Sequence, residues 1–171
     1  VNRILPEALA RIRRDRRPAV RHQAGVADLE ATRERYADQG VDGEVTAFIE
    51  DMAEAYGWAD LVVCRSGALT VSELAAAGLG AVLVPYPHAV DDHQTANADV
   101  LVSAEAALLA PEPSLDPAAL ANRLDSLLND RASTLALAEA ARRCAVPDAA
   151  RSVAQACHAF LPSGQAREMR S

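Results

Sequence analysis

Two short apolar runs, each followed at once by a helical pattern, constrain the fold of this chain more than any other feature. The run "ADLVVCR" leads into an alanine-rich helical stretch at Ala68–Ala77, and "GAVLVPYPH" is followed by helical spacing in "DDHQTANADVLVSA". Strand-length runs that are almost wholly apolar predict strands covered on both faces, and such strands belong to parallel sheets whose crossovers are helices. The sequence therefore predicts an α/β fold with helices on both faces of a parallel sheet.

The remaining segments continue this alternation and predict a single domain over residues 1–161. Before the two runs we expect a helix with apolar positions from Ile4 to Ile12, a strand around Ala19–Val20, a polar helix ending at Gly40, strand-like alternation at Val45–Ile49 and a helix at Asp51–Trp58. After them we expect a last short strand in "AALLAPEP" and amphipathic helices at Pro117–Asn129, Ser133–Cys144 and Asp148–Leu161. Residues 162–171 are expected to be a disordered tail.

Composition excludes several classes of function. The chain has 24 acidic and 17 basic residues, a formal net charge of −7, so no nucleic-acid partner is expected, since a polyanion binder needs a basic surface. Its three scattered cysteines are typical of free thiols in a reducing compartment. No apolar run reaches the roughly 18 residues that cross a bilayer, so any membrane contact is expected to be peripheral.

The junction "CRSGALTVSELAAAG" is the strongest candidate for a ligand site. Where a helix begins directly after a strand, unpaired backbone N–H groups and the helix dipole favour an anion. Gly67 permits close backbone approach to a phosphate, and the Ser66 and Thr70 hydroxyls could donate to it. Glu73 could accept the hydroxyls of a ribose, so the pattern suits a nucleoside diphosphate. The alternative is a helix-capping box formed by Thr70 and Glu73.

A second polar loop follows the second apolar run. It offers His88, Asp91, Asp92, His93, Gln94 and Asn97. A metal site is not expected there, because Asp91 and Asp92 suit a helix start and nothing enforces closed coordination. A serine nucleophile is also disfavoured, because Ser66 lacks the G-x-S-x-G elbow. His22, in "RHQAG", is interpreted as a polar group at a strand end rather than a ligand contact.

Four stretches together resemble the C-terminal domain of glycosyltransferase family 28. They are "HQAG", "VTAFIEDMAEAYGWAD", "ADLVVCRSGALTVSELAAAG" and "VLVPYPHAVDDHQTANA", and the resemblance extends from Asn2 to Phe160. It implies a Rossmann-like donor domain of a two-domain GT-B enzyme that transfers N-acetylglucosamine from its UDP donor to undecaprenyl-pyrophosphoryl-N-acetylmuramoyl-pentapeptide in peptidoglycan synthesis. In the family, a strand and a glycine-rich loop precede the counterpart of Asn2. The resemblance also implies an N-terminal acceptor domain bound peripherally to the cytoplasmic face of the bacterial inner membrane.

The resemblance assigns roles to individual residues. Ile49 matches the position whose backbone reads uracil, and Gln94 matches a sugar-binding glutamine, with His93 standing where some members have a second glutamine. Glu73 matches the ribose ligand. The segment that embraces the nucleotide matches Ala68, Leu69, Thr70, Val71 and Ser72, after Ser66 and Gly67. No cofactor and no metal are implied, and the catalytic base is expected on the N-terminal domain.

Four points stay open from the sequence. Gly80 stands where the family commonly has proline, so the next strand could start more loosely, and the direction of the Arg65 side chain is undetermined. A UDP-N-acetylglucosamine 2-epimerase of similar architecture is an alternative enzyme, for which His88, Asp91, Asp92 and His93 could supply acid and base groups. A nucleotide-sugar fold that serves only as an interaction domain, without activity, is the non-enzymatic alternative.

Overall fold

A computed structural model describes residues 1–86 and 92–160 of the chain. Strands and helices alternate along it. The strands are β1 (Arg21–Gln23), β2 (Glu44–Thr46), β3 (Val62–Cys64), β4 (Ala81–Leu83) and β5 (Ala107–Leu109). The helices are α1 (Ile4–Arg11), α2 (Leu29–Asp38), α3 (Met52–Trp58), α4 (Ala68–Ala77), α5 (His93–Val102), α6 (Pro117–Leu128), α7 (Arg131–Arg143) and α8 (Ala149–Ala159).

All strand pairs in the described residues are parallel, which confirms the predicted α/β class. β1 pairs with β2, with His22 opposite Val45. β4 lies between β3 and β5, with Val82 opposite Val63 and Leu108. Successive side chains of a strand point to opposite faces, and Val82 and Val84 accordingly join one core while Ala81 and Leu83 join another. Every residue of β4 is buried, as its unbroken apolar run predicts.

The two cores are the layers on either side of the second sheet. In the first, α1 packs on α6, and Leu9 and Leu120 are almost fully buried with Val82. In the second, α4, α5 and α7 pack together around Leu74, Leu83 and Leu101, none of which is exposed. Burial of such large aliphatic side chains contributes about 1.5–3 kcal/mol each. These layers fix α4 and α5 against the carboxyl ends of β3 and β4.

The five described strands form two separate sheets rather than one. β1 and β2 make the first, β3, β4 and β5 make the second, and a cavity of about 540 Å³ lies between them. Its wall includes Val20 next to β1, Val62 and Val63 of β3, and Leu5 and Leu124 of the covering helices. A largely apolar space bordered by one strand of each sheet therefore separates the two sheets.

Some element boundaries differ from the sequence predictions. The first strand is Arg21–Gln23 rather than Ala19–Val20, because its pairing with β2 is made by backbone groups whatever the side chains. β2 ends at Thr46, so Ile49 lies in the following loop. The last helix is Ala149–Ala159. The predicted tail at 162–171 lies outside the described residues, and no described helix is long and apolar enough to cross a membrane.

Gly80, the departure from the family pattern, is tightly enclosed rather than loose. It is buried immediately before β4, and a Cβ atom on it would lie 2.6 Å from the Leu137 Cβ atom of α7. Its neighbour Gly78 ends α4 with a φ of 70°, in the left-handed conformation that favours glycine. The loop between α4 and β4 is thus closed by α7, and the expectation of a looser strand start is wrong.

Candidate functional site

The corner between β3 and α4 presents an open helix start. Gly67 is the N-cap residue with extended backbone, and the first intrahelical bond runs from the Val71 N–H to the Gly67 carbonyl. The N–H groups of Ala68, Leu69 and Thr70 therefore precede the helical ladder, at the positive end of the dipole of a ten-residue helix. A Cβ on Gly67 would meet only the Thr70 hydroxyl, at 3.7 Å, so the approach to this corner is open.

The Ser66 hydroxyl is turned away from this open corner. Its side chain is fully buried, and the hydroxyl donates to the Gln94 carbonyl at 2.8 Å. The Asn97 amide donates back to the Ser66 carbonyl at 3.1 Å. These two bonds join the corner to α5. The structure therefore gives Ser66 an internal partner in place of the phosphate predicted from the sequence.

Glu73 lies on the exposed face of α4, and its carboxylate accepts a hydrogen bond from a residue of another helix. The Tyr56 hydroxyl on α3 donates to the Glu73 Oε2 atom at 2.9 Å. The alternative of a capping box is wrong, because the helix begins at Ala68 with Gly67 as its N-cap and Thr70 already lies inside it. Tyr56 had no signal of its own in the sequence, since a single aromatic residue in a helix is usually core.

The rest of the segment divides between the surface and the core. Ala68 and Leu69 are exposed, Thr70 is partly buried, and Val71 packs into the second core. The Ser72 hydroxyl donates to the Ala68 carbonyl of its own helix at 3.0 Å. Side chains of this segment therefore offer few polar groups to a ligand, and its backbone N–H groups are the main feature that an anion could bind.

Ile49 lies beyond the carboxyl end of β2, next to the first sheet. Its N–H donates to the Gln23 Oε1 atom at 2.8 Å, a bond that sequence reasoning did not foresee. The preceding residue, Phe48, is 66% exposed. Both sit at the edge where parallel α/β sheets bind ligands, and the Ile49 amide is already satisfied by a side-chain carbonyl that a ligand would have to replace.

Gln94 also has internal contacts. Its side-chain Oε1 accepts the Tyr86 N–H at 2.9 Å, while its carbonyl accepts the Ser66 hydroxyl. His93 is exposed at the first position of α5, and Asp92, with a φ of 51°, accepts the Thr95 hydroxyl. His88 and Asp91, the other candidates for metal or acid–base chemistry, lie outside the described residues. Within 1–86 and 92–160, no three histidine, cysteine or acidic side chains gather as metal ligands would.

Arg65 points into its own domain. Its guanidinium pairs with Glu112 at 2.7 Å, donates to the Val84 and Pro85 carbonyls, and lies over the Tyr86 ring. The bond from Arg65 lowers the pKa of the Glu112 carboxyl below its usual value. This group fastens the end of β4 to the turn that follows β5.

His22 is a buried structural group, in keeping with its interpretation as a strand-end residue. One ring nitrogen lies 3.0 Å from the Tyr36 hydroxyl and the other 3.1 Å from the Asn2 side-chain oxygen. Burial lowers the pKa of His22 from 6.5 to about 4. The ring is therefore neutral at pH 7 and links the segment before α1 to β1 and α2.

Comparison with known proteins identifies the family. Residues 1–153 match the model of the glycosyltransferase family 28 C-terminal domain. The chain is similar to proteins named UDP-N-acetylglucosamine–N-acetylmuramyl-(pentapeptide) pyrophosphoryl-undecaprenol N-acetylglucosamine transferase. The protein from Marinobacter nauticus is 56% identical over 156 residues, which are 91% of this chain and 43% of that relative. The protein from Stutzerimonas stutzeri is 54% identical over 157 residues, which are 92% of this chain and 44% of that relative.

A crystal structure of Acinetobacter baumannii MurG superposes with a TM-score of 0.85 at 41% identity, over 93% of this chain and 48% of that one. The chain therefore spans less than half the length of these relatives. Together, the parallel βα architecture, the matched family model and the superposed structure confirm the resemblance seen in the sequence: the chain belongs to glycosyltransferase family 28 and corresponds to its C-terminal domain.

Proposed function

We propose that this chain is the donor-binding part of a hexosyltransferase of peptidoglycan biosynthesis. The reaction is transfer of N-acetylglucosamine from UDP-N-acetylglucosamine to undecaprenyl-pyrophosphoryl-N-acetylmuramoyl-pentapeptide, the reaction named for its relatives. The observation that carries the proposal is the open start of α4, with unpaired N–H groups from Ala68 to Thr70 and the Glu73 carboxylate further along the same exposed face. No resident metal or cofactor is part of it.

In this proposal the site binds each part of the donor at a different element. The diphosphate accepts hydrogen bonds from the N–H groups of Ala68 to Thr70, and the ribose hydroxyls donate to Glu73. Uracil pairs with the backbone of Ile49, after the Gln23 side chain has moved away from its N–H. The amide of Gln94, with His93 beside it, contacts the N-acetylglucosamine. Ser66 supports the site by holding α5 in place.

The chemistry that follows is stabilisation of a leaving group. As the bond from the anomeric carbon to the diphosphate breaks, negative charge grows on the phosphate oxygen. Preoriented N–H donors at a helix start stabilise that charge without a metal ion or reorganisation. The acceptor hydroxyl needs a general base, and no residue of this chain is assigned to that role. The base belongs to the N-terminal domain in this proposal.

We further propose that residues 1–161 form one domain whose sheet is completed by the strand that precedes the counterpart of Asn2 in the family, with residues 162–171 as a tail outside it. Two observations support this. β1 and β3 border one cavity of about 540 Å³ with an apolar wall, and each belongs to a parallel sheet with no strand shared between them in the described residues. One parallel strand would join both sheets and bury that wall.

The acceptor and the membrane belong to the other domain in this proposal. The lipid-linked acceptor binds an N-terminal domain that contacts the cytoplasmic face of the inner membrane peripherally, and the donor domain reaches it across the cleft between the two. This chain supplies no membrane-spanning helix among its described residues.

A binding and turnover experiment tests the function. Protein expressed from the complete gene is expected to transfer radiolabelled N-acetylglucosamine to a soluble lipid-linked acceptor analogue, while the 171 residues alone bind UDP weakly without turnover. Glu73→Ala is expected to weaken UDP binding by roughly 1–3 kcal/mol, because ribose hydroxyls lose their acceptor. The matched control is Glu139→Ala, which removes an exposed carboxylate from α7.

Four results would contradict the proposal. Full turnover by the 171 residues alone would place the base within them. An altered sugar released from the donor without acceptor, detected by NMR, would favour the epimerase. Unchanged UDP affinity in Glu73→Ala would remove the ribose role of Glu73. No binding of UDP at all would leave the interaction domain as the better description.

A further inference from the structure

Tyr56 connects α3 with α4, the helix that the proposed function assigns to the diphosphate and the ribose. It lies near the end of α3, the helix that follows the Ile49 loop, and its hydroxyl donates to Glu73 on α4 at 2.9 Å. α3 packs on α4, and the Tyr56 ring packs against the second core beside the buried part of α4. The bond therefore joins the helix behind the base loop to the helix that would hold the diphosphate.

The two ends of this hydrogen bond are held very differently. The Tyr56 ring is half-buried and fixed by packing, whereas Glu73 is exposed on the helix surface. Free glutamate side chains sample several rotamers, and ordering one on binding lowers affinity. The hydroxyl engages Oε2 at 2.9 Å, so one oxygen of the carboxylate is anchored before a ligand arrives.

The donor role of Tyr56 is also maintained across the physiological range. Burial, followed by the hydrogen bond to Glu73, raises the pKa of the phenol above its ordinary value. Its other ionisable neighbour is the Cys64 thiol, whose own pKa is raised to about 12 by burial, so it too is neutral. The phenol thus keeps its proton and directs it at the carboxylate.

We propose that Tyr56 is a positioning residue for the nucleoside: by anchoring Glu73 Oε2 it presents Oε1 to the vicinal ribose hydroxyls, and so sets the preference for ribonucleotides over analogues that lack those hydroxyls. This inference rests on the proposed function of the site. It goes beyond it by assigning the specificity to a residue of α3 that touches no ligand. If the hydrogen bond between Tyr56 and Glu73 served only to hold α3 to α4, removing it would change the affinity for all nucleotides alike.

The test compares UDP with 2′,3′-dideoxy-UDP on the protein expressed from its complete gene, by calorimetric titration. Tyr56→Phe keeps the ring and its packing. It is expected to weaken UDP binding about three- to tenfold, the loss associated with ordering one flexible side chain, and to leave the affinity for the dideoxy compound unchanged. In a Glu73→Gln background the same substitution should have little further effect on the ratio of the two affinities.

The control is Tyr36→Phe, which removes a buried hydroxyl that contacts His22. It is expected to lower the melting temperature without changing the ratio. An equal loss for both nucleotides in Tyr56→Phe, or no loss for either, would overturn the positioning role while the proposed function stood. If the wild-type protein bound UDP but did not prefer it to the dideoxy compound, the ribose role of Glu73 would fall and this inference with it.

Discussion

The buried hydroxyl of Ser66 allows a sharp test of how the β3–α4 corner works. Ser66→Ala removes the bond to the Gln94 carbonyl, which is 2.8 Å long and partly buried. Gln94 is the second residue of α5, so its carbonyl keeps the hydrogen bond of the helix itself. The bond from Asn97 to the Ser66 backbone remains. We therefore expect a loss of folding stability and a looser start to α5.

The size of the loss follows from the environment of the hydroxyl. A hydrogen bond contributes about 0.5–1.5 kcal/mol net. Because Ser66 has no exposed surface, water cannot replace the hydroxyl without rearrangement. We expect a loss of about 0.5–1.5 kcal/mol, which for a domain of this size lowers the melting temperature by about 1–6 °C.

Thermal denaturation of unliganded protein and titration with UDP separate the two roles of this residue. Ser66→Ala should melt earlier, with UDP affinity changed less than about threefold. The matched control is Ser133→Ala, whose exposed hydroxyl donates to Asp130, and surface changes of this kind are usually within about 0.5 kcal/mol. An unchanged melting temperature with a tenfold loss of UDP affinity would refute the internal role and restore the phosphate contact.

Two further predictions concern the scaffold. Gly80→Ala should destabilise the protein by about 1–3 kcal/mol in urea denaturation, because the new Cβ would lie 2.6 Å from the Leu137 Cβ atom. Leu137→Gly, which removes that Cβ atom, should in combination cost less than the sum of the two single changes, and strict additivity would contradict the clash. Unfolding free energy should also fall as the pH drops from about 6.5 to 4, because the unfolded chain protonates His22 near 6.5 whereas the buried ring stays neutral until about 4. The effect is roughly 3 kcal/mol, and a pH profile in His22→Gln that is as steep as that of the wild type would show that other groups cause it.

The fold class could be predicted because burial leaves a direct mark on composition. β4 is buried at every position and reads as an unbroken apolar run, and the helices after it read with helical spacing. β1 left no such mark. Its residues are Arg21, His22 and Gln23, and they form a strand because their backbone groups pair with β2. Because Ala19 and Val20 are apolar, the sequence analysis placed the first strand there, just before its actual position at Arg21–Gln23.

The candidate site was found in the sequence only as a backbone feature. The abrupt change from strand to helix at Ser66-Gly67 predicts unpaired N–H groups wherever the side chains point, and the helix does begin at Ala68. The hydrogen-bond partners of the side chains could not be predicted from the change of strand to helix. Ser66 proved to be buried, and Gln23 and Tyr56 proved to contact two of the predicted site residues.

The sequence by itself determined the alternation of strands and helices, the family, and the place of the open helix start, because these depend on local periodicity and on a contiguous motif. Only the tertiary structure decided which partners the polar side chains take. Arg65 with Glu112, Ser66 with Gln94 and Tyr56 with Glu73 are joined across separate βα units. Such contacts depend on how helices pack on the sheet, and packing is a property of the whole chain rather than of any segment.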